Sequence, residues 1–252
     1  LRAAWGRLLF FFLCVAVGVG AIAALRSVIQ NVRTTLIREA RVLTAADVVI
    51  STNRPWAEDV RGRIDAAIGK APVTQRVEVV ELATMVRPAD ESRAVARMAE
   101  LQAVDRGFPL YGELGLRDGV RFDHRLLEDH GILVRPEVLV QLGIAVGDQV
   151  RVGNATFTIR GVIETEPGRR AGMFSLGPRV LIDRAHLDET GLLTFGARAR
   201  FAILMKVEES GIEPLVTTVR DQFKGSFVSA RSYRSTEDRL GEDLRVAENY
   251  LS

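Results

Sequence analysis

The stretch LGIAVGDQVRVGNATFTIRGVIETEP, residues 142–167, is the most regular unit of the chain. Two runs of alternating apolar and polar residues flank Gly153-Asn154, a pair that is typical of the tip of a β-hairpin. The apolar positions that share one face are Val150 and Val152 on the first run and Phe157 and Ile159 on the second. This segment therefore predicts a hairpin with one buried face.

Short strand and helix signals continue on both sides of this hairpin. Strands are predicted at 47–51, 75–87, 92–105, 113–117, 131–135, 177–183, 200–207 and 226–230. Helices are predicted at 55–68, 137–142, 184–190 and 212–223. The two long strands at 75–105 are expected to pair as a hairpin. This mixture of strands and helices predicts an α+β domain of hairpins and short helices over residues 47–234. One N-terminal transmembrane helix and a helical stalk are predicted to precede it.

The transmembrane helix is predicted from residues 8–25, LLFFFLCVAVGVGAIAAL, which contain no charged, amide or hydroxyl side chain. Eleven of these eighteen residues are Leu, Ile, Val or Phe, which together favour insertion by about 3–7 kcal/mol. As a helix the segment rises about 27 Å, close to the thickness of the hydrocarbon core. We therefore interpret it as a transmembrane span that follows a short N-terminal end at residues 1–7.

A cleaved signal peptide is the alternative interpretation of the same segment. Ala21-Ile22-Ala23 fits a cleavage site, and Arg7 supplies a basic residue before the apolar run. The run is longer than the 7–15 residues usual for a signal peptide, and the helix pattern continues beyond the candidate cleavage site. Charge does not decide the orientation of a span, because two arginines precede it and four follow it by residue 41.

Small residues recur every four positions within the predicted span, at Ala16, Gly20 and Ala24. This spacing predicts a face on which a second transmembrane helix can pack closely, although small residues are also common in such helices by composition alone. Residues 26–46 continue as an uninterrupted amphipathic helix, which predicts a stalk. Because the chain begins without Met and ends inside a predicted helix at 235–252, we expect it to be part of a longer protein in which this helix returns to the membrane.

The sequence lacks the patterns of a catalytic, metal or nucleotide site, so we expect a non-enzymatic chain without a cofactor. His124, His130 and His186 have no metal-ligand spacing among them, and the first two are predicted to be exposed loop residues beside aspartates. Glu164 and Glu166 are predicted to lie on a solvated strand end. A net charge of +2 with interleaved acids indicates no nucleic-acid partner. The single cysteine lies in the predicted span, so no internal disulfide is expected.

Three segments carry a resemblance to a known family. They are ELQAVDRGFPLYGELGL at 100–116, the hairpin segment at 142–167, and LGPRVLIDRAHLDETGL at 176–192. Together with the span and the stalk they resemble the MacB/FtsX-like ABC transporter permeases, and most of all the large permeases associated with lysophospholipase L1 biosynthesis. The sequence departs from the family pattern at Gly-Arg 168–169, where Asp-Arg is usual, and at Phe-Gly-Ala 195–197, where Pro-Gly-Ser is usual.

This resemblance implies a permease subunit of the bacterial inner membrane, with its N-terminus in the cytoplasm and a MacB-like core domain in the periplasm. It implies a cytoplasmic ABC ATPase subunit as partner and remaining permease spans in the same chain. The substrate would be amphipathic, taken from the membrane lipid or the periplasm for export or extraction. The alternative is an FtsX-like signalling or scaffolding module that regulates a periplasmic hydrolase or esterase.

Overall fold

The computed structural model describes residues 20, 41–42, 44–93, 95–166, 177–194 and 196–235. The chain divides into two compact units, Leu1–Ala40 and Arg41–Ser252. The predicted span, most of the stalk and all but the first residue of the returning helix lie outside the described residues, as do Ala16 and Ala24; Gly20 is described as helical. In the part of the chain that is described, no helix is long and apolar enough to cross a membrane.

The described part of the second unit contains ten strands and three complete α-helices, and residues 41, 42 and 44 are helical as well. The strands are β1 (Val48–Thr52), β2 (Val73–Pro88), β3 (Arg97–Val104), β4 (Gly115–Leu116), β5 (Gly131–Val134), β6 (Gln149–Val152), β7 (Ala155–Thr165), β8 (Arg179–Asp183), β9 (Ala199–Val207) and β10 (Ser229–Ser232). The helices are α1 (Glu58–Ile68), α2 (Pro136–Leu142) and α3 (Glu209–Gln222). Short 3-10 helices lie at Arg117–Gly119, His124–Leu126, Arg184–His186 and Asp188–Thr190.

Four strands and two helices form a split βαβ unit. The strand order is β10-β1-β9-β2, and each neighbouring pair is antiparallel. Helix α1 connects β1 to β2 and helix α3 connects β9 to β10, which is the ferredoxin-like arrangement. The two helices contact each other, and Arg61 of α1 donates to Glu78 of β2 at 3.1 Å. Both helices therefore cover one face of this sheet.

A small closed barrel is inserted between β2 and β9. Six strands pair in a circuit, β2-β3-β8-β5-β7-β6, and β6 returns to pair with the far end of β2 at Val86–Pro88. The pairs β3–β8 and β5–β7 are parallel, and the others in the circuit are antiparallel. Because β2 is sixteen residues long, it belongs to both the open sheet and the barrel. Closure gives every strand of the circuit two partners and leaves no free edge.

Each part of the fold has its own hydrophobic core. The barrel core takes at least one fully buried residue from each strand of the circuit, among them Val86, Leu101, Ile132, Val150, Phe157 and Ile182. A second core forms where Val49, Val79 and Leu204 of the open sheet face the connection after β3. That connection contributes Phe108 and Leu110. The face of the open sheet that is not covered by helices is therefore sealed by a loop.

The hairpin at 142–167 is confirmed, and all four of its predicted core residues are buried. Gly153 at its tip has φ +59°, and a Cβ there would lie 2.1 Å from the carbonyl oxygen of Thr190. This position therefore requires glycine both for its backbone conformation and for its close approach to the neighbouring turn. The long hairpin at 75–105 is also confirmed, with its second strand shortened to Arg97–Val104.

The bounds of several other elements differ from their predictions. Helix α1 begins at Glu58 rather than at Pro55, because Ala57 is still extended. The predicted helix at 184–190 is two 3-10 helices, since the Asp183 carboxylate caps the first turn through the Ala185 N–H and Gly191, with φ 65°, ends the second. The last strand runs from Ser229 to Ser232 instead of over 226–230, because its register is set by pairing with β1.

We expect the substitution Phe157→Ala to lower the free energy of unfolding by about 3–5 kcal/mol, since it empties the centre of the barrel core. Val140→Ala, at a position of α2 that is 82% exposed, serves as the control and should change it by no more than about 0.5 kcal/mol. Urea denaturation of both variants in detergent, followed by circular dichroism, measures this difference. Equal effects would contradict the assignment of Phe157 to a packed barrel interior.

Candidate functional site: the clasp between the chain ends

Asp47 lies where the chain enters the domain, one residue before β1, and its side chain is only 2% exposed. Its carboxylate accepts hydrogen bonds from the Tyr111 hydroxyl at 2.7 Å and from the Val207 N–H at 3.0 Å. Its backbone N–H donates to the Met205 carbonyl, and its carbonyl accepts from the Tyr233 N–H at 3.0 Å. One residue therefore joins the entering chain to β9, to the loop after β3 and to the chain that leaves β10.

Arg41, six residues earlier, connects the same elements through its guanidinium. Its Nε lies 2.9 Å from Asp47 Oδ1, and its Nη2 donates to Glu209 Oε2 at 2.9 Å. The guanidinium carbon also lies 4.5 Å from the centre of the Tyr233 ring and 5.9 Å from that of Tyr111, within the range of a cation–π contact. Arg41 thus bridges an acid of the entering chain and an acid at the start of α3.

The chain that leaves β10 is attached to the same acid. The Tyr233 hydroxyl donates to Glu209 Oε1 at 2.9 Å, and Arg234 forms an ion pair with Glu209. Arg234 also lies 3.7 Å from Glu213, one turn further along α3. We call this group the clasp; its members are Arg41, Asp47, Tyr111, Glu209, Tyr233 and Arg234.

The neighbours of three clasp side chains shift their pKa values in the direction that favours the ordinary protonation state. The hydrogen bond from Arg234 is the main reason that the pKa of Glu209 is lowered. Burial, followed by the hydrogen bond to Asp47, raises the pKa of Tyr111 above its ordinary value. Burial opposes the charge of Arg41, but the neighbouring Asp47 raises its pKa overall. Around neutral pH, Arg41 is therefore a cation, Glu209 an anion, and Tyr111 a neutral donor.

Two predictions about side chains were wrong. His124 is not an exposed loop residue: it is 11% exposed, and its Nε2 lies 2.9 Å from Asp183 Oδ2. Glu166 is not on a solvated strand end: it is 1% exposed and forms an ion pair with Arg179 of β8, whereas Glu164 beside it stays largely exposed. The partners are 59 residues apart in the first pair and 13 in the second, beyond the reach of helix or strand periodicity, so local patterns gave no signal for them.

The clasp itself was also not predicted. Arg41 was assigned to an amphipathic stalk and Asp47 to a strand, and the partner Glu209 lies 168 residues from Arg41. His130 and His186, which have no metal-ligand spacing in the sequence, lie beside each other with Glu189. Of the predicted packing face, only Gly20 lies among the described residues, so the packing of Ala16, Gly20 and Ala24 against a second helix stays a prediction.

The family model of the MacB-like periplasmic core domain matches residues 8–230. The chain belongs to this family. The MacB-like chain is 26% identical over 255 residues to the uncharacterized ABC transporter permease YbbP of Escherichia coli (strain K12), covering 97% of this chain. It spans only 29% of the length of that curated relative. The resemblance found in the sequence to MacB-like permeases is thereby confirmed.

Two solved structures are similar to this MacB-like domain. The periplasmic region of MacB from Actinobacillus actinomycetemcomitans matches with a TM-score of 0.51 at 9% identity, covering 82% of this chain and 98% of that one. The extracellular domain of the noncanonic ABC-type transporter YknZ from Gram-positive bacteria matches with a TM-score of 0.47 at 14% identity, covering 73% of this chain and 100% of that one. At such low identity the first match establishes the fold of the MacB-like domain only.

We expect the substitution Asp47→Asn to lower the free energy of unfolding by about 1.5–3 kcal/mol, because it removes the charge that faces Arg41 in a buried position. Glu208→Gln is the matched control, since this exposed acid precedes α3 without a side-chain capping bond. Chemical denaturation of both variants measures the two losses. A loss for Asp47→Asn no larger than for Glu208→Gln would show that the clasp adds nothing to stability.

Proposed function

We propose that this chain is the first span and first periplasmic domain of an ABC transporter permease, driven by a separate cytoplasmic ATPase subunit. The proposal is supported by membership of the MacB-like family and by a match to a named permease over 97% of this chain. The domain itself catalyses no reaction in this proposal. It changes position so that an amphipathic substrate is exported or extracted from the membrane.

The clasp is the observation that carries the proposed mechanism. It ties the chain that enters β1 to the chain that leaves β10, and these are adjacent antiparallel strands of the open sheet. Asp47 also accepts from β9, so the clasp holds both neighbours of β1. A displacement of the segment before β1 or of the segment after β10 is thus passed to several strands of the sheet and not to one strand.

The same proposal assigns roles to the segments that leave the clasp. Residues 8–25 form a span whose face of Ala16, Gly20 and Ala24 packs against the remaining permease spans. Residues 26–46 form the stalk that ends in the clasp, and residues 235–252 form the helix that returns to the membrane. The N-terminus is cytoplasmic and the domain is periplasmic, at the bacterial inner membrane. Movement of the spans then reaches the domain through the stalk and the returning helix, which the clasp holds together where they meet the domain.

The test uses the full permease with its ATPase subunit in lipid nanodiscs. Cys14, the only cysteine of this chain, is replaced by Ser, and a donor dye is placed on Val140→Cys, an exposed position of α2. Acceptor dyes on the lipid headgroups report the height of the domain above the membrane by energy transfer. We expect ATP to change the transfer efficiency, and Arg41→Ala to abolish most of that change while ATP hydrolysis continues.

Arg125→Ala is the matched control, because the side chain of Arg125 is exposed and pairs only weakly with the nearby Asp123 at 3.7 Å. It should leave the ATP-dependent change intact. If ATP does not move the domain in the wild-type permease, the proposed coupling is wrong. If Arg41→Ala responds like Arg125→Ala, coupling exists but does not pass through the clasp.

A further inference from the structure

Two histidines and a glutamate meet at the edge of the barrel, away from the clasp. His130 directly precedes β5, and His186 and Glu189 lie in the two 3-10 helices that follow β8. Strands β5 and β8 are antiparallel neighbours, with Ile132 opposite Ile182. This pairing places the start of β5 beside the end of β8, and so it brings together side chains that are 56 residues apart.

The three side chains are arranged around a common point. His130 Nε2 lies 2.7 Å from Glu189 Oε2, and His186 Nδ1 lies 3.0 Å from Glu189 Oε1. The two imidazole rings stack with their centres 4.1 Å apart, and one ligand atom from each residue lies within 4.8 Å of the other two. In a tetrahedral zinc site with bonds of 2.0–2.1 Å, ligand atoms lie about 3.3 Å apart. Small side-chain rotations are therefore enough to enclose an ion.

The backbone holds this triangle in place. His186 and Glu189 are separated by three residues on successive helical turns, and Gly191 ends these turns in the left-handed conformation. His130 has φ +57°, and its ring packs against the buried Phe157 ring at 5.7 Å. Such positions restrict where the imidazole can point, so the ligand atoms lie close together before any ion binds.

The chemistry of the three groups suits a transition metal. Two imidazole nitrogens and one carboxylate are ligands preferred by zinc, nickel and copper ions rather than by magnesium or calcium. The side chains of His130 and Glu189 are 40% and 51% exposed, so an ion can reach them from solution.

We propose that His130, His186 and Glu189 bind one divalent transition-metal ion, of which zinc is the representative, with water in the fourth position. Without metal, one N–H of each imidazole donates to Glu189; on binding, that proton moves by exchange with solvent to the other nitrogen of the same ring, and the nitrogen that it leaves coordinates the ion. In His186 the proton then lies on Nε2, which gives up the 3.5 Å contact from the His130 N–H. The ion fastens the turns after β8 to the start of β5 and so braces this edge of the barrel.

The test uses the 252-residue chain without a histidine tag, purified in detergent and treated with a chelator. Zinc chloride is titrated by calorimetry, and thermal unfolding is followed with and without zinc. We expect one ion per chain and a rise of the melting midpoint by about 5 °C or more at a zinc concentration about 100 times the dissociation constant. Glu189→Gln and His186→Gln should each weaken binding at least about tenfold.

The matched control is His124→Gln, since His124 is paired with Asp183 outside this group and Gln can still donate to that carboxylate. It should bind zinc as the wild type does. Both cluster variants keep side chains of similar size, and their circular dichroism without zinc shows whether they are folded. The proposal is overturned if the wild type binds no zinc, or if folded Glu189→Gln and His186→Gln bind as tightly as His124→Gln.

Discussion

The buried carboxylate of Asp47 is the constraint on which the contact between the entering chain, the leaving chain and β9 depends. It is withdrawn from water, so its charge needs Arg41, which lies against Oδ1, and its Oδ2 accepts from the Tyr111 hydroxyl and the Val207 N–H. These partners come from the entering chain, the loop after β3 and the end of β9. Because Tyr233 bonds the backbone of the same residue, the outgoing chain is fixed to this point as well.

A second feature extends this junction to the rest of the domain. Strand β2 pairs with β9 over its first part and with β6 at its far end, so one continuous strand runs from the open sheet into the closed barrel. The barrel has no free edge, and its core contains a fully buried residue from every strand. A force applied at the clasp would therefore act on the open sheet and the closed barrel, two packed parts that share β2, rather than on a flexible chain.

The sequence predicted what depends on neighbouring residues. Alternation in the 142–167 hairpin placed Phe157 inside, and the resemblance to MacB-like permeases gave the family. The sequence did not predict what depends on pairing between distant segments. Nothing beside Arg41 indicates Glu209, nothing beside Glu166 indicates Arg179, and His130 meets His186 only because β5 pairs with β8. The two 3-10 helices after β8 were predicted as one helix, because the hydrogen bond by which Asp183 caps the first of them depends on the local backbone conformation.

The most direct test of the clasp is a double-mutant cycle between Arg41→Ala and Asp47→Asn, read out as the free energy of unfolding of the 252-residue chain. The two side chains are 2.9 Å apart, and the carboxylate is buried. The account predicts that the two losses are not additive, with a coupling of about 0.5–3 kcal/mol. Losses that add to within about 0.3 kcal/mol would contradict it, because residues that do not interact behave in that way.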